Sequence, residues 1–569
     1  MSEWLTQSDR EEAIEVLKKY LKPAQIRDVI DRDLEKLVAR TESKSVGGLY
    51  STKIRDEDLA EFLIDLQGTD LLKERKLREL LVKSLAEEQI NTLAQWGGAI
   101  LARSRYGRIE QIVTRRWVPG KQWSRYFTTF LGFPKIFAGL VGSPDGPSIE
   151  EVEPYTRLPE LHSYQKDLFV QIQQVISDVP GKNRAILSLP TGAGKTRTAV
   201  EALLSWWNND ETARPYIVWI AHSDELCMQA AEAFREVWVD KGGKGKRQIL
   251  KIFRYWGNHR ALPDIFGDGV IIAGVQKLYE TLQNDEGKVE LERIAEDTAV
   301  VIVDEAHRIL TPSYIAVLNV FQIPLEKNME SSKPLLGLTA TPYRGIVTDE
   351  NYRLARCFYN KLLVASELGQ NPLQVLREMD VLSHIDHRAL DTRRTFRLED
   401  REVLYLQEKK QFPGSFLERV GRDYERNALL LKELLALPAD WPVLCFGCSL
   451  EHAGALAVLL RRKGRSAAFI SGETHRATRR YLIEEFREGR IQVLCNFGVL
   501  TTGFDAPKIR AVVIARPTTS VVLYEQMIGR GMRGPMNGGT KECLVIDLVD
   551  NIDRFQGQMA YTRMEEYWK

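Results

Sequence analysis

The sequence predicts an α/β protein: two tandem, doubly wound parallel sheets, preceded by a mainly helical N-terminal domain and joined by a helical connector. Three observations carry this reading. Short apolar runs alternate with helical stretches in two separate series, the pattern of buried parallel strands linked by crossover helices. A glycine-rich segment, Ser188-Leu-Pro-Thr-Gly-Ala-Gly-Lys-Thr196, follows one such run and opens a helix. An acidic pair, Asp304-Glu305, ends another run of the same series, at the strand end where open parallel sheets bind their ligands.

Residues 1–100 are rich in Leu, Glu, Lys, Asp and Arg. Their apolar positions recur at helical spacing, as in Ile14, Val16, Leu17 and Leu21 and again in Leu59, Phe62, Leu63 and Leu66. They read as a small helical domain with acids on solvated faces and no nuclease constellation. Residues 101–150 form a basic, aromatic segment ending in the linker Val141–Pro147. Residues 151–345 hold the first strand series: Ala185–Leu189, Tyr216–Ala221, Val270–Ala273, Ala299–Val303 and Leu335–Leu338. The basic, glycine-rich Lys241–Arg247 reads as a mobile surface loop first and as a phosphate-touching loop second. Residues 346–440 are more polar and read as the helical connector. Within it, Asp423-Tyr-Glu-Arg-Asn427 reads as the cap of a Leu-rich helix. Residues 441–550 hold the second series, Val443–Phe446, Ala467–Ile470, Val493–Cys495, Ala511–Ile514 and Cys543–Ile546, and residues 551–569 form a tail. Two sheets of similar size predict two related lobes with a cleft between them.

Composition narrows the classes. The 569 residues leave room for about three or four domains. With 44% hydrophobic and 28% charged residues, the chain is ordinary for folded protein and too apolar for disorder. Lys+Arg 79 against Asp+Glu 78 excludes a polycation and an acidic solvating protein, so any nucleic acid must meet a local patch. Between residues 101 and 135, eight basic residues (Arg103, Arg105, Arg108, Arg115, Arg116, Lys121, Arg125 and Lys135) face one acid, Glu110. Tyr106, Trp117, Trp123, Tyr126, Phe127, Phe130 and Phe133 interleave with them. Two readings stay open. In one, Arg115 and Arg116 grip phosphates while rings such as Trp117 stack on bases. In the other, the rings form a core and the arginines a solvated rim.

The six cysteines make no disulfide framework, and the lone CxxC pair, Cys445 and Cys448, lacks the second pair that a structural zinc site needs. The N-terminus has no apolar signal segment, and no run approaches the roughly 20 apolar residues of a membrane span. A cytoplasmic protein without membrane contact is expected.

The chemistry concentrates in the glycine-rich segment and the acidic pair. Gly192 and Gly194 let the backbone N–H groups of Thr191–Thr196 curl around a phosphate at a helix N-terminus, Ala193 among them. Lys195 reaches the β- and γ-phosphates, and the Thr196 hydroxyl ligates Mg²⁺. Asp304 holds the same ion, and Glu305 orients and deprotonates the attacking water. At these residues the chain resembles the superfamily 2 DEAH-box helicases and translocases, in particular the RadD-like and restriction-type (ResIII-like) motors. The resemblance covers about residues 155–550 and implies two RecA-like lobes with ATP and Mg²⁺ as cofactors.

Further segments extend the resemblance. Tyr164-Gln165 is similar to the motif in which a glutamine, here Gln165, reads adenine. Ile220-Ala221-His222 and Gly274-Val275-Gln276 are similar to strand-end motifs that grip a nucleic-acid backbone through His222 and Gln276. His307 and Leu338-Thr-Ala-Thr-Pro342, with the hydroxyls of Thr339 and Thr341, resemble elements that couple hydrolysis to lobe movement. In the second lobe, Phe446-Gly-Cys-Ser449 resembles a backbone-contact motif. Leu500-Thr-Thr-Gly-Phe-Asp-Ala-Pro507 places Thr501 toward nucleic acid and Gly503 and Asp505 toward nucleotide. Gln526-Met-Ile-Gly-Arg-Gly-Met-Arg533 completes the set. The i, i+4, i+7 spacing of Gln526, Arg530 and Arg533 puts all three on one helical face, which would present two guanidinium groups to the γ-phosphate. No cysteine follows Cys543, so the zinc-binding tail of RadD-like motors has no counterpart here.

The implied protein is a DNA-dependent ATPase, either helicase or double-strand translocase, in genome defence or DNA repair. Single- or double-stranded DNA is its expected partner. Two alternatives stand beside it: an RNA helicase with the same motor, and an ATP-switched assembly subunit whose N-terminal domain recruits a nuclease or another protein effector.

Overall fold

A computed structural model describes residues 5–45, 51–139, 148–152, 158–209, 214–241, 247–260, 262, 268–325, 331–340, 348–369, 371–499, 506, 508–555 and 559–560. The expected linker 141–147, most of the 241–247 loop and nearly all of the tail beyond Arg554 lie outside these residues.

The first lobe is an eight-stranded sheet built from β1 (Ile149–Val152), β2 (Arg184–Ser188), β3 (Tyr216–Ala221), β4 (Leu250–Tyr255), β5 (Gly269–Gly274), β6 (Thr298–Asp304), β7 (Leu335–Thr339) and β8 (Leu362–Leu363). Its order is β1-β4-β5-β3-β6-β7-β2-β8, parallel throughout except for the β1–β4 pair. The central strands β3 and β6 are buried along their whole length, because helices cover both faces. Each Val, Ile or Leu so enclosed contributes roughly 1.5–3 kcal/mol of hydrophobic stabilisation. The parallel run puts the carboxyl ends of β2, β7 and β6 side by side on one rim.

The second lobe is a six-stranded, fully parallel sheet: β9 (His384–Arg397), β10 (Val443–Phe446), β11 (Ala467–Ser471), β12 (Val493–Phe497), β13 (Ala511–Ile514) and β14 (Glu542–Asp553), in the order β11-β12-β10-β13-β14-β9. All ten apolar runs expected to be strands are strands. The connector is largely helical, with two corrections: the short β8 adds to the first sheet, and a longer strand joins the second. Residues 384–397 form β9, pairing with β14 along its length. Its sequence, His384-Ile-Asp-His-Arg-Ala-Leu-Asp-Thr-Arg-Arg-Thr-Phe-Arg397, has no apolar run because β9 is an exposed edge, and charged side chains there blunt pairing with a further strand. Strand β14 also runs past residue 550, the expected end of this lobe.

The N-terminal domain is helical, as its spacing requires. Its core is Leu17, Phe62, Leu63, Leu81, Ile90, Ile112, Phe127 and Phe137, all essentially sealed from solvent. This core continues into the second lobe. Leu430, Leu431 and Leu434 of the helix Tyr424–Ala436, and Leu456, Leu459 and Leu460 of the helix Leu450–Arg462, belong to the same apolar cluster. Charged contacts rim the seam. Arg461 donates to the Asp65 carbonyl and, at 2.6 Å, to the Ala467 carbonyl. Arg462 pairs with Glu42 at 3.2 Å, and Lys44 with Glu425 at 3.1 Å. The front domain and the second lobe are therefore one packed body.

Candidate active site

The phosphate loop lies between β2 and the helix Lys195–Asn209. Gly192 and Gly194 have φ of +89° and +79°, a left-handed backbone that L side chains resist. Two side chains from the helix Ser163–Ile176 buttress the loop from behind. Tyr164 Oη donates to the Ala193 carbonyl at 2.8 Å, and Gln165 Nε2 donates to the same oxygen at 3.3 Å. A Cβ on Gly194 would meet the Gln165 amide and force it to shift, and the positive φ itself strains any other residue there. Lys195 Nζ folds back to within 3.5 Å of the Leu189 carbonyl.

Asp304 ends β6 on the same rim and is buried. The next residue, Glu305, takes φ +53°, and its N–H donates to Asp304 Oδ1 at 3.0 Å. A non-glycine residue in that conformation costs on the order of 1–3 kcal/mol. Burial and the adjacent Glu305 charge raise the Asp304 carboxyl, while Lys195 pulls it the other way. Burial would raise Glu305 too, but the His307 hydrogen bond and the His307 and Lys195 charges overcome it and hold the carboxyl below its ordinary value. His307 Nδ1 stands 3.2 Å from Glu305 Oε2 and 3.3 Å from Thr339 Oγ1. The acidic strand end and the end of β7 are thus linked through one imidazole. Thr341 lies outside the described residues.

The second lobe closes over this rim. A Cβ on Gly529 would stand 2.6 Å from Thr191 Cβ, and one on Gly192 would stand 3.7 Å from the Arg533 backbone. Asn537 Nδ2 donates to the Gly192 carbonyl at 3.0 Å. The single helical face expected for Gln526, Arg530 and Arg533 needs correction. The helix Val521–Ile528 stops before Arg530. Glycines at 529, 531 and 534 release the chain, and close approaches to Thr191, Cys543 and the 380–382 backbone leave no room for a side chain at any of them. Gln526 is buried on the helix, Arg530 follows it, and Arg533 sits in a bridge to Leu382. The contacts with the loop are made at Gly529, at the Arg533 backbone and at Asn537, along a turn rather than a helix, while Arg530 Nε donates back to the Gln526 carbonyl at 3.2 Å. Asn537 was not anticipated. Its only signal is its place in the turn Gly534-Pro-Met-Asn-Gly-Gly539 directly after Arg533.

The expected nucleic-acid contacts scatter more widely. His222 follows β3, and burial together with Arg308 lowers its imidazole to about 4, so it is neutral near pH 7. Gln276 is exposed on the helix Val275–Thr281, 3.3 Å from Glu280. Ser449 is buried and caps the helix Leu450–Arg462, its hydroxyl accepting from the His452 N–H. Thr501, Gly503 and Asp505 lie outside the described residues. Arg115 faces inward, bonded to the carbonyls of Ala94 at 2.8 Å and Trp96 at 3.1 Å, with its guanidinium over the Trp96 and Trp123 rings. Trp117 packs edge-on against Phe127, with Arg78 over its face. Arg116 is exposed.

The donor set fits a magnesium nucleotide. The loop is a cradle that a side chain would fill, Lys195 holds no carboxylate partner among the described residues, and the buried Asp304 is a hard oxygen ligand of the kind Mg²⁺ prefers.

Comparisons with known proteins agree with this architecture. The family described as type III restriction enzyme, res subunit, matches residues 158–344, and the helicase conserved C-terminal domain matches residues 426–534. The chain is 25% identical over 401 residues to the putative ATP-dependent helicase IRC3 of Saccharomyces cerevisiae, covering 69% of this chain and 52% of that protein. It is 27% identical over 406 residues to the putative mitochondrial ATP-dependent helicase irc3 of Schizosaccharomyces pombe, covering 69% and 58%. With the type I restriction enzyme EcoKI endonuclease subunit of Escherichia coli it shares 26% identity over 429 residues, covering 68% and 34%. The chain thus spans a little over half the length of the two yeast relatives. Among solved structures, the Pyrococcus furiosus Hef helicase domain aligns with a TM-score of 0.40 at 15% identity, covering 69% of this chain and 95% of that one. No helix among the described residues is long and apolar enough to cross a membrane.

Proposed function

We propose that this chain, a superfamily 2 helicase with a ResIII-like first lobe, is an ATP-driven motor that moves on DNA. The observation that carries the reading is the Thr191–Thr196 loop, with its Lys195 beside the Asp304-Glu305 strand end, meeting the Gly529–Asn537 segment of the other lobe. Lys195 and the loop N–H groups bind the phosphates, Gln165 sits beside the loop as the candidate adenine reader, and Thr196 and Asp304 hold Mg²⁺. Bound Mg-ATP supplies the phosphoanhydride whose hydrolysis drives the cycle. Glu305, kept ionised, accepts the proton of the attacking water, and Arg530 and Arg533 neutralise charge from the opposite lobe. An arginine of this kind contributes about 10³–10⁵ in rate, so turnover depends on closure. Nucleic acid held by both lobes, at His222 and Gln276 on one side and Thr501 on the other, favours closure and couples hydrolysis to the polymer; Ser449, buried under its helix cap, is left out of that grip.

The restriction-enzyme family of the first lobe supports DNA as that polymer, and a role in defence against foreign DNA or in DNA repair. Six buried, unpaired cysteines suit a reducing cytoplasm.

The test is ATP hydrolysis measured side by side with single-stranded DNA, duplex DNA and RNA. DNA stimulation is expected, with Glu305→Gln and Lys195→Ala inactive and Glu305→Gln still binding ATP. Stimulation by RNA alone would reassign the motor to RNA. Undiminished hydrolysis by Glu305→Gln would remove the base assignment.

A further inference from the structure

We propose that Arg116, Lys121, Arg125 and Lys135 form a duplex-DNA backbone contact on the N-terminal domain, carried as a rigid part of the second lobe. The inference rests on the motor reading for its polymer, and on separate observations for its place.

Residues 111–144 contain no Asp or Glu. Of the five bases in that stretch, Arg115 has its donors taken by backbone carbonyls and serves as a strut. The other four are exposed, and none has an ion pair among the described residues. Elsewhere on the same domain Arg55, Arg75, Arg105 and Arg108 each carry a carboxylate partner. Glu110, at the edge of the bare stretch, is itself held by Arg75 at 3.0 Å.

Two of the four bases, Lys121 and Arg125, belong to the helix Gln122–Leu131, and the segments bearing the other two are tied to it. Lys121 caps it, and Arg125 lies one turn on. The Gly120 N–H donates to the Ala138 carbonyl at 2.8 Å, which ties the turn bearing Lys135 to the same end. Trp117 packed on Phe127 brings Arg116 alongside. The aromatic block faces inward, with Trp123, Phe127, Phe133 and Phe137 buried. Of the rings between the four bases, Trp123, Phe127 and Phe133 are buried and Trp117, Tyr126 and Phe130 half-buried, so the surface offers fully exposed charge and no fully exposed ring. Single-strand binding leans on base stacking, whereas a phosphate contact alone suits the regular backbone of a duplex. Because the domain shares a core with the second lobe, this grip moves with that lobe whenever the cleft opens or closes.

The test uses the full chain with all four residues changed to Gln. Binding of a labelled duplex and of a single strand of equal length is followed by anisotropy across a salt series. The expected result is a duplex affinity at least about tenfold weaker near 0.1 M salt, and a log K against log[salt] slope shallower by about 3–4, since each lost phosphate contact removes about 0.9. Single-strand affinity falls less, and turnover at saturating duplex is retained. Arg115→Gln should instead lower thermal stability and leave the salt slope alone. Unchanged duplex affinity and slope would overturn the proposal even where DNA stimulates hydrolysis. So would an equal loss for both strands. If no nucleic acid stimulates hydrolysis but the four-residue variant still loses duplex binding, the contact stands and the motor reading falls. Retained duplex binding with loss of an acidic protein partner would reassign the face to that partner.

Discussion

Asn537 gives the second lobe a direct hold on the phosphate loop, and its strength can be worked out. Its Nδ2 donates to the Gly192 carbonyl at 3.0 Å in the closed arrangement. When the lobes part, water takes over both groups, so only the net value of a neutral hydrogen bond is at stake, about 0.5–1.5 kcal/mol. Asn537→Ala should therefore shift the closed-to-open ratio by about 2- to 12-fold. If DNA drives closure and hydrolysis needs it, the DNA concentration for half-maximal hydrolysis rises by that factor. Turnover at saturating DNA stays within about twofold, because excess DNA restores closure. Asn537→Asp should be worse, since it sets a carboxylate against a carbonyl oxygen. The assay is steady-state ATP hydrolysis titrated with DNA. An Ala variant with unchanged half-saturation, or an Asp variant milder than Ala, would show that the contact carries no closing energy.

Two stability predictions join it. Arg461→Ala leaves the Asp65 and Ala467 carbonyls at the seam without their charged donor. It should cost about 3 kcal/mol in urea denaturation, and a loss below about 1 kcal/mol would mean that the apolar contacts alone hold the seam. His452 is buried, its Nδ1 accepts the Cys448 N–H at 3.0 Å, and burial with the nearby Arg426 lowers its imidazole from 6.5 to about 3. The unfolded chain binds a proton there that the folded chain refuses, so stability present above pH 6.5 is lost as pH falls toward 3. Between pH 6.5 and 5 the loss approaches about 2 kcal/mol. A non-titrating His452→Asn variant should lack this slope, and parallel pH curves for the two proteins would refute it.

The strands that lie inside the sheets were legible because burial on both faces leaves continuous apolar runs such as Tyr216–Ala221. The edges were not. Strand β9 reads as polar connector for the same reason that it is a safe edge, and β8 is two residues long. Of the candidate site, the parts made by one segment were readable: the Gly192–Thr196 loop and the Asp304-Glu305 strand end; Ser449, read as a backbone contact, instead caps a helix. What depends on two distant segments was not. Nothing near Asn537 shows that it meets Gly192, and composition cannot tell that Arg115 is spent on the Ala94 and Trp96 carbonyls while Lys121 is bare. The Asp423-Tyr-Glu-Arg-Asn427 cap was legible, with the Asp423 side chain accepting from the Arg426 N–H. The sealed pair of Arg426 with Asp550, at 2.9 Å, was not.

The union of the front domain with the second lobe changes how the chain is strung. Polypeptide passes between the first lobe and the body made by the front domain and second lobe twice: once between Gly139 and Ser148, and once between Leu363 at the end of β8 and His384 at the start of β9. Bodies joined by one connection can still pivot about it, whereas a second connection at another point also restrains the pivot. Fully extended, the span from Gly139 to Ser148 reaches at most about 30 Å. In the proposed motor that span is a covalent stop for the cleft, and shortening it should shorten the stroke without touching a residue of either lobe.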